Sequence, residues 1–299
     1  MGIAGIAFIM RREPFNDIRV RKALTLLLNR DLLIQSLFFN EYTPMNSYFP
    51  GGVYENPGNP KNTYDPQQAL KLLTDAGWNG RDSQGHLINN GRPMTLEYIH
   101  SDKGAERWLT IYQDDLRKVG IQLNLRLISY DTLIQLTSEW RFDMAGMGWQ
   151  AATFPNPEVL WRSSLADTKN SFNLTGFKNK RADEIFDIYS KEFDQQKRAT
   201  LLRELDGILA NEYPYILEWT AQFDRIAYLN KFGQPAYYFS RIGDQRDMMG
   251  LWWIDPQKEQ RYQQALADPS MKLEVGPLEI RHWQEYAKKG GGAFVPPSQ

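Results

Sequence analysis

The chain has 299 residues, with 35 Lys and Arg against 36 Asp and Glu and a formal net charge of −1. A chain of this length buries a sizeable core in one or two domains, and 42% apolar with 24% charged residues is an ordinary globular balance. Without a basic surplus nothing holds a phosphate backbone, so nucleic acid is excluded as a partner, and the absence of cysteine excludes disulfides, thiolate metal sites and a cysteine nucleophile. No apolar run reaches the length of a membrane span, and none has the charged-then-apolar pattern of a leader.

Residues 2–10, GIAGIAFIM, read as a buried strand whose small residues allow close backbone approach. Pro14 with Asn16 or Asp17 marks a helix entry, and residues 17–28 form an amphipathic helix. Its expected apolar face is Ile18, Ala23, Leu24, Leu27 and Leu28, with Arg19, Arg21 and Lys22 turned elsewhere. Asn29 breaks this helix, and residues 31–39 give a second, short one. Residues 40–64 carry Pro, Gly and Asn without an apolar period. Their aromatics, Tyr42, Tyr48, Phe49 and Tyr54, predict an ordered loop. Asp65-Pro66 starts a helix that Gly77 stops.

A polar turn region at 79–93 predicts a hairpin. Residues 94–99 alternate as a strand, 105–119 follow a helical period, and 121–128 alternate again. That β-α-β order requires a parallel pair with a right-handed crossover. A short helix at 131–137 leads to a strand at 142–149. Helices are expected at 180–193 and 195–211, ended by Pro214, then a hairpin of 215–220 with 225–229. Beyond residue 231 the regular periods give way to Gly, Pro, Met and aromatics. The fold class is therefore α/β.

Catalytic signatures are missing. His86, His100 and His282 lack a second histidine at ligand spacing, and His100-Ser101-Asp102 offers two metal ligands that nothing completes. Gly290-Gly291-Gly292 has no following Lys-Ser, so it is not a phosphate loop. No carboxylate pair is marked for hydrolysis. The apolar strand at 142–149 ends in Gly148-Trp149 before an irregular loop, and ligands in open α/β sheets sit beyond the carboxyl ends of strands. Trp149 is either a stacking platform there or a core tryptophan. Ser163, Ser164, Asp167, Ser171 and Asn173 cap turns or meet a ligand's polar groups, with Asn173 the leading contact. Nine Trp, fifteen Tyr and fifteen Phe suit a bulky core, an aromatic-lined cleft, or both.

The string Pro14-Phe15-Asn16-Asp17-Ile18-Arg19-Val20-Arg21-Lys22-Ala23-Leu24 resembles the PF-x-D-x-RVR-x-A signature of bacterial family 5 extracellular solute-binding proteins, the receptors of peptide-type ABC importers. Asn46-Ser47-Tyr48-Phe49, the run at 163–167 and Trp252-Trp253-Ile254-Asp255-Pro256 are similar to the YejA-type branch of that family. The resemblance implies a non-catalytic receptor of two lobes about a hinge, each with a mixed sheet flanked by helices, enclosing a peptide between them. In such receptors the signature follows the crossing into the second lobe. Residues 1–13 would then be a crossover strand from a missing first lobe, 14–230 a periplasmic-binding-protein-like second lobe, and 231–299 a return segment packing on the first.

The implied role is substrate binding for an ABC importer, with an oligopeptide or modified peptide delivered to a permease in the inner membrane and no cofactor or metal. The implied location is periplasmic, or extracellular and membrane-anchored in a Gram-positive source. Expected ligand contacts are Trp149, Gln150, Thr153, Ser171, Asn173, Tyr48 and Asn46. Two positions depart from the pattern: Ile9 replaces a common Asn, and Ala152 replaces the aspartate that pairs with a peptide α-ammonium. Ala152 implies a blocked or solvated amine unless a neighbour such as Asp143 or Glu158 substitutes. The alternative reading is a secreted carbohydrate-binding or carbohydrate-hydrolysing protein, supported by the Trp and Tyr count and by Ala152.

Overall fold

A computed structural model describes residues 2–150, 152, 154–221, 223–236 and 245–288. The chain divides into two compact units, Met1–Gln222 and Phe223–Gln299. In the first, the elements in order are β1 (Ile3–Phe8), α1 (Ile18–Leu26), α2 (Arg30–Ser36), β2 (Thr43–Pro44), α3 (Pro66–Asp75), β3 (Gly80–Arg81), β4 (Leu87–Asn89), β5 (Arg92–Pro93) and β6 (Thr95–His100). They continue with α4 (Glu106–Lys118), β7 (Gln122–Leu127), α5 (Tyr130–Ser138), β8 (Met144–Trp149), α6 (Glu158–Trp161), α7 (Lys180–Tyr189), α8 (Gln195–Glu212), β9 (Tyr215–Leu217) and β10 (Trp219–Thr220). The second holds β11 (Phe232–Gly233), β12 (Trp253–Ile254), α9 (Pro256–Ala267) and α10 (His282–Lys288). The Gly290-Gly291-Gly292 run lies outside the described residues.

A five-stranded mixed sheet in the order β7-β6-β8-β1-β9 organises the first unit. β6 is parallel to β7 and to β8, so the predicted β-α-β crossover through α4 is formed. β1 is antiparallel to both β8 and β9. The carboxyl ends of β6, β7 and β8 therefore share one edge with the amino end of β1. Strand β1 is sandwiched so closely that a Cβ on Gly5 would lie 2.3 Å from the Ile216 carbonyl oxygen. The small residues of this strand thus serve backbone approach, as its composition suggests. The predicted polar hairpin at 79–93 is the small antiparallel sheet β3-β4-β5.

The hairpin predicted for 215–229 is not formed. β9 joins the large sheet beside β1, β10 pairs with β2, and residues 225–229 carry no strand. β9 pairs with the N-terminal strand in place of a returning one. The helix at the signature also departs from its expected face. Asp17 caps α1 by accepting from the Arg19 amide at 2.8 Å, as foreseen. Ile18 is instead exposed, while Val20 and Arg21 are buried with Ala23, Leu24 and Leu27. Arg21 goes inward because carbonyls await it: Nη1 donates to the Phe15 oxygen at 2.6 Å, and Nε and Nη2 donate to that of Glu212 at 3.1 and 2.7 Å. Phe15 stacks on Phe8 at 5.4 Å between ring centroids, tying the signature to β1.

Another buried polar anchor shapes the loop at 40–64. Asp206 on α8 is fully buried and accepts from the Tyr48 and Asn56 amides, Ser47 Oγ and Asn59 Nδ2, all at 2.7–2.9 Å. Burial pushes its carboxyl up to about 6 against those four hydrogen bonds. In the second unit, Gly233 lies against the Trp253 ring in the β11–β12 pair, and Asp255 caps α9 before Pro256.

Candidate ligand-binding site

Trp149 is the last residue of β8, at the carboxyl edge of the parallel strands, and is half-buried. Its Nε1 donates to Tyr215 Oη at 3.0 Å, and its ring meets Phe172 edge-on at 5.7 Å. One side of the indole is thus held by β9, while the strand end opens on a cleft of about 460 Å³. Met147, Gly148 and Trp149 form its floor, Tyr130 and Ile134 of α5 one wall, and Ser171 and Phe172 another. Tyr130 and Phe172 are largely exposed aromatics, 65% and 59%. The cleft is mainly apolar with a few polar groups, which suits ligand enclosure.

A second cavity of about 260 Å³ adjoins the first through Met147 and Gly148. Tyr98, His100, Asp102, Trp108 and Glu218 line it, with Ala4 and Gly5 of β1. His100 ends β6, is 2% exposed and stacks on Tyr98 at 5.5 Å. Its Nδ1 lies 2.9 Å from the Asp102 carbonyl oxygen, which makes Nδ1 the donor and, in the neutral ring, Nε2 an acceptor. That Nε2 is buried and has no hydrogen-bond partner among the described residues. Glu218 sits where the chain leaves the large sheet between β9 and β10. Its amide donates to the Ala4 oxygen at 3.1 Å and its carbonyl accepts from Met45 at 3.0 Å, which fixes the backbone. Burial pushes its carboxyl up to about 8, with Asp102 adding to the rise.

The residues predicted to contact a ligand fall in different places. Trp149 and Ser171 line the larger cleft, and Ser171 Oγ donates to the Leu165 oxygen at 2.7 Å. Gln150 is exposed beyond the strand end, and Thr153 lies outside the described residues. Asn173 is 1% exposed. Its Nδ2 donates to the Arg162 and Phe177 oxygens at 3.1 and 2.9 Å, and its Oδ1 accepts from the Gly176 and Phe177 amides at 3.1 and 3.0 Å. Tyr48 is buried, with its hydroxyl bound to the Tyr215 backbone, and Asn46 Oδ1 accepts from Arg30 at 3.0 Å. Asn173 and Tyr48 thus hold their own loops, and Asn46 anchors Arg30.

The two carboxylates considered as stand-ins near Ala152 are also taken. Asp143 pairs with Arg12 at 2.9 Å and Glu158 with Arg162 at 2.5 Å. Sequence reasoning missed Glu218 and the full role of His100. The available signal was a lone acid inside the apolar run Tyr215-Ile216-Leu217-Glu218-Trp219, which no surface position required. Among the described residues, no group of three or more His, Asp and Glu side chains is placed to hold a metal ion, and no helix is long and apolar enough to cross a membrane.

Comparison with known proteins agrees with this architecture. The chain is 24% identical over 288 residues to the Uncharacterized protein YejA of Escherichia coli (strain K12), covering 85% of this chain and 47% of that one. It is 27% identical to the Probable peptide-binding protein YejA of Agrobacterium fabrum, covering 68% and 39%. Among solved structures, the oligopeptide-binding protein AppA of Bacillus subtilis, in complex with a nonapeptide, superposes with a TM-score of 0.72 at 22% identity, over 85% of this chain and 50% of that one. The chain thus spans half or less of the length of these relatives. The family model described as Bacterial extracellular solute-binding proteins, family 5 Middle, matches residues 1–171. With the signature on α1, the mixed sheet and that match together, the chain belongs to family 5 of the bacterial extracellular solute-binding proteins.

Proposed function

We propose that residues 1–222 are the second lobe of an ABC-importer receptor and carry one half of a peptide-binding cleft. The observation that carries this reading is the aromatic cleft at the end of β8, where Trp149, Phe172 and Tyr130 meet beyond the parallel strands. Trp149 and Ser171 contact the ligand there. The first lobe comes from the rest of a longer polypeptide, which fits a chain spanning about half of its relatives. The receptor binds an oligopeptide or modified peptide without transforming it and hands it to a membrane permease, in the periplasm or on the outer face of a Gram-positive cell. A nonapeptide bound to AppA supports the peptide class.

Titration calorimetry tests this with a random peptide mixture, on the complete polypeptide and on residues 1–299 alone. One lobe leaves much of a ligand in water and forgoes enclosure, so the complete protein binds and the single lobe binds far more weakly. Absence of binding to the complete polypeptide overturns the peptide reading. Equal affinity of the two would place the whole site in this chain and overturn the two-lobe reading.

A further inference from the structure

We infer that the smaller cavity between β6, β8 and Glu218 receives a protonated amine of the ligand, with the Glu218 carboxylate as its counter-charge and His100 Nε2 as a hydrogen-bond acceptor. This rests on the reading that the ligand lies along the end of β8, since the two cavities share Met147 and Gly148.

The chemistry of the lining points to a donor with positive charge. In its neutral form His100, with Nδ1 donating to the Asp102 carbonyl, offers Nε2 as an acceptor, and that atom is buried without a partner among the described residues. An unmet buried acceptor is costly, and a bound donor recovers that loss. Asp102 brings a second carboxylate, of which Oδ1 already accepts from the Gly104 amide at 2.7 Å. Among the described residues, no Lys or Arg lines the cavity. An ammonium has three donors and a positive charge, which suits a lining that sets two carboxylates and the His100 Nε2 acceptor around one cavity. Trp108 and Tyr98 supply aromatic walls. The amine that Ala152 cannot pair thus finds a carboxylate on a different element, whereas Asp143 and Glu158 are held by arginines.

The empty pocket keeps its acid partly neutral. Burial raises Glu218 to about 8, and the groups that face it are Asp102, His100 and Tyr98. An entering ammonium favours the carboxylate, so Glu218 gives up its proton to solvent on binding. Affinity should then rise up to about tenfold per pH unit below about 8 and level off above it.

The test uses the complete polypeptide with side-chain 15N-labelled histidine and 13C-labelled glutamate. It is titrated with n-butylammonium, with n-butanol as the neutral control. The expected result is a saturable shift of His100 Nε2 and the Glu218 carboxyl with the ammonium only, while His86 does not move. Glu218→Gln, which keeps the shape, should weaken that response at least about tenfold. Unmoved His100 and Glu218 signals, or equal responses to butanol, would overturn the assignment. So would an unchanged response in Glu218→Gln. Because the probe is not a peptide, a responding cavity in a protein that ignores every peptide would sink the peptide reading and leave this site standing.

Discussion

Replacing Arg21 by Met probes what the family signature does physically. The guanidinium is almost wholly buried, with a side-chain exposure of 3%. It satisfies the Phe15 carbonyl from one side and the Glu212 carbonyl, at the end of α8, from the other. Its ion pair with Glu212 is long at 3.6 Å, so the carbonyl bonds matter more. Methionine keeps most of the stem and removes every donor. Two buried carbonyls left unmet cost about 1–3 kcal/mol each. Relief from burying a cation, whose desolvation depresses the Arg21 pKa, offsets part of that loss. The net loss should be about 3 kcal/mol. Urea unfolding of the larger unit would show it as a midpoint lowered by roughly 1 M with the slope unchanged. A loss under about 0.5 kcal/mol, the scale of a surface substitution, would refute the claim that Arg21 staples α1 to α8.

Asp206→Ala should be more damaging, by about 4 kcal/mol in the same assay, because four donors lose their acceptor at once; a midpoint within error of wild type would mean the loop at 40–64 is held by other contacts. Trp149→Ala should weaken ligand binding with a modest stability loss. Trp161→Ala should cost roughly 3–5 kcal/mol, since Trp161 is 3% exposed and packs edge-on to Tyr48, Phe177 and Tyr215. The reverse ranking of the two tryptophans in unfolding would reject the cleft assignment. Glu218 has a folded pKa raised from 4.5 to about 8, so its contribution is fully present below about pH 4.5 and is lost as pH rises through 8. Glu218→Gln should therefore stabilise the protein at pH 9, by about 3 kcal/mol, and leave it near wild type at pH 4; equal stabilities at both pH values would show that Glu218 is ordinarily solvated.

Local patterns carried most of the fold. Alternation at 94–99 and through Leu123 and Leu125, and the helical period through Trp108, Ile111, Tyr112 and Leu116, gave the parallel pair and its crossover. Caps at Asp17 and Asp65 gave two of the helix starts, whereas Asn29, read as a breaker, and Asn179 cap the helices that follow them. Long-range choices were not legible. Whether Arg21 faces inward depends on a carbonyl 191 residues away, and the partner of β9 is β1, from the opposite end of the unit's sequence. The site was half legible for the same reason. Trp149 announces itself at the end of an apolar strand. Glu218 follows β9 and His100 ends β6, and the two line one cavity only because β9 lies beside β1. Asn173 illustrates the opposite case, a residue whose type suits a ligand but whose four hydrogen bonds all close its own loop.

The most direct measurement is a crystal structure of the complete polypeptide grown with a random peptide mixture. The account predicts extended ligand density at the end of β8, against Trp149 and Phe172, with an amine in the pocket of Glu218 and His100. Density that avoids residues 147–149 altogether, or a protein that crystallises from the mixture with peptide bound at another surface, would contradict it.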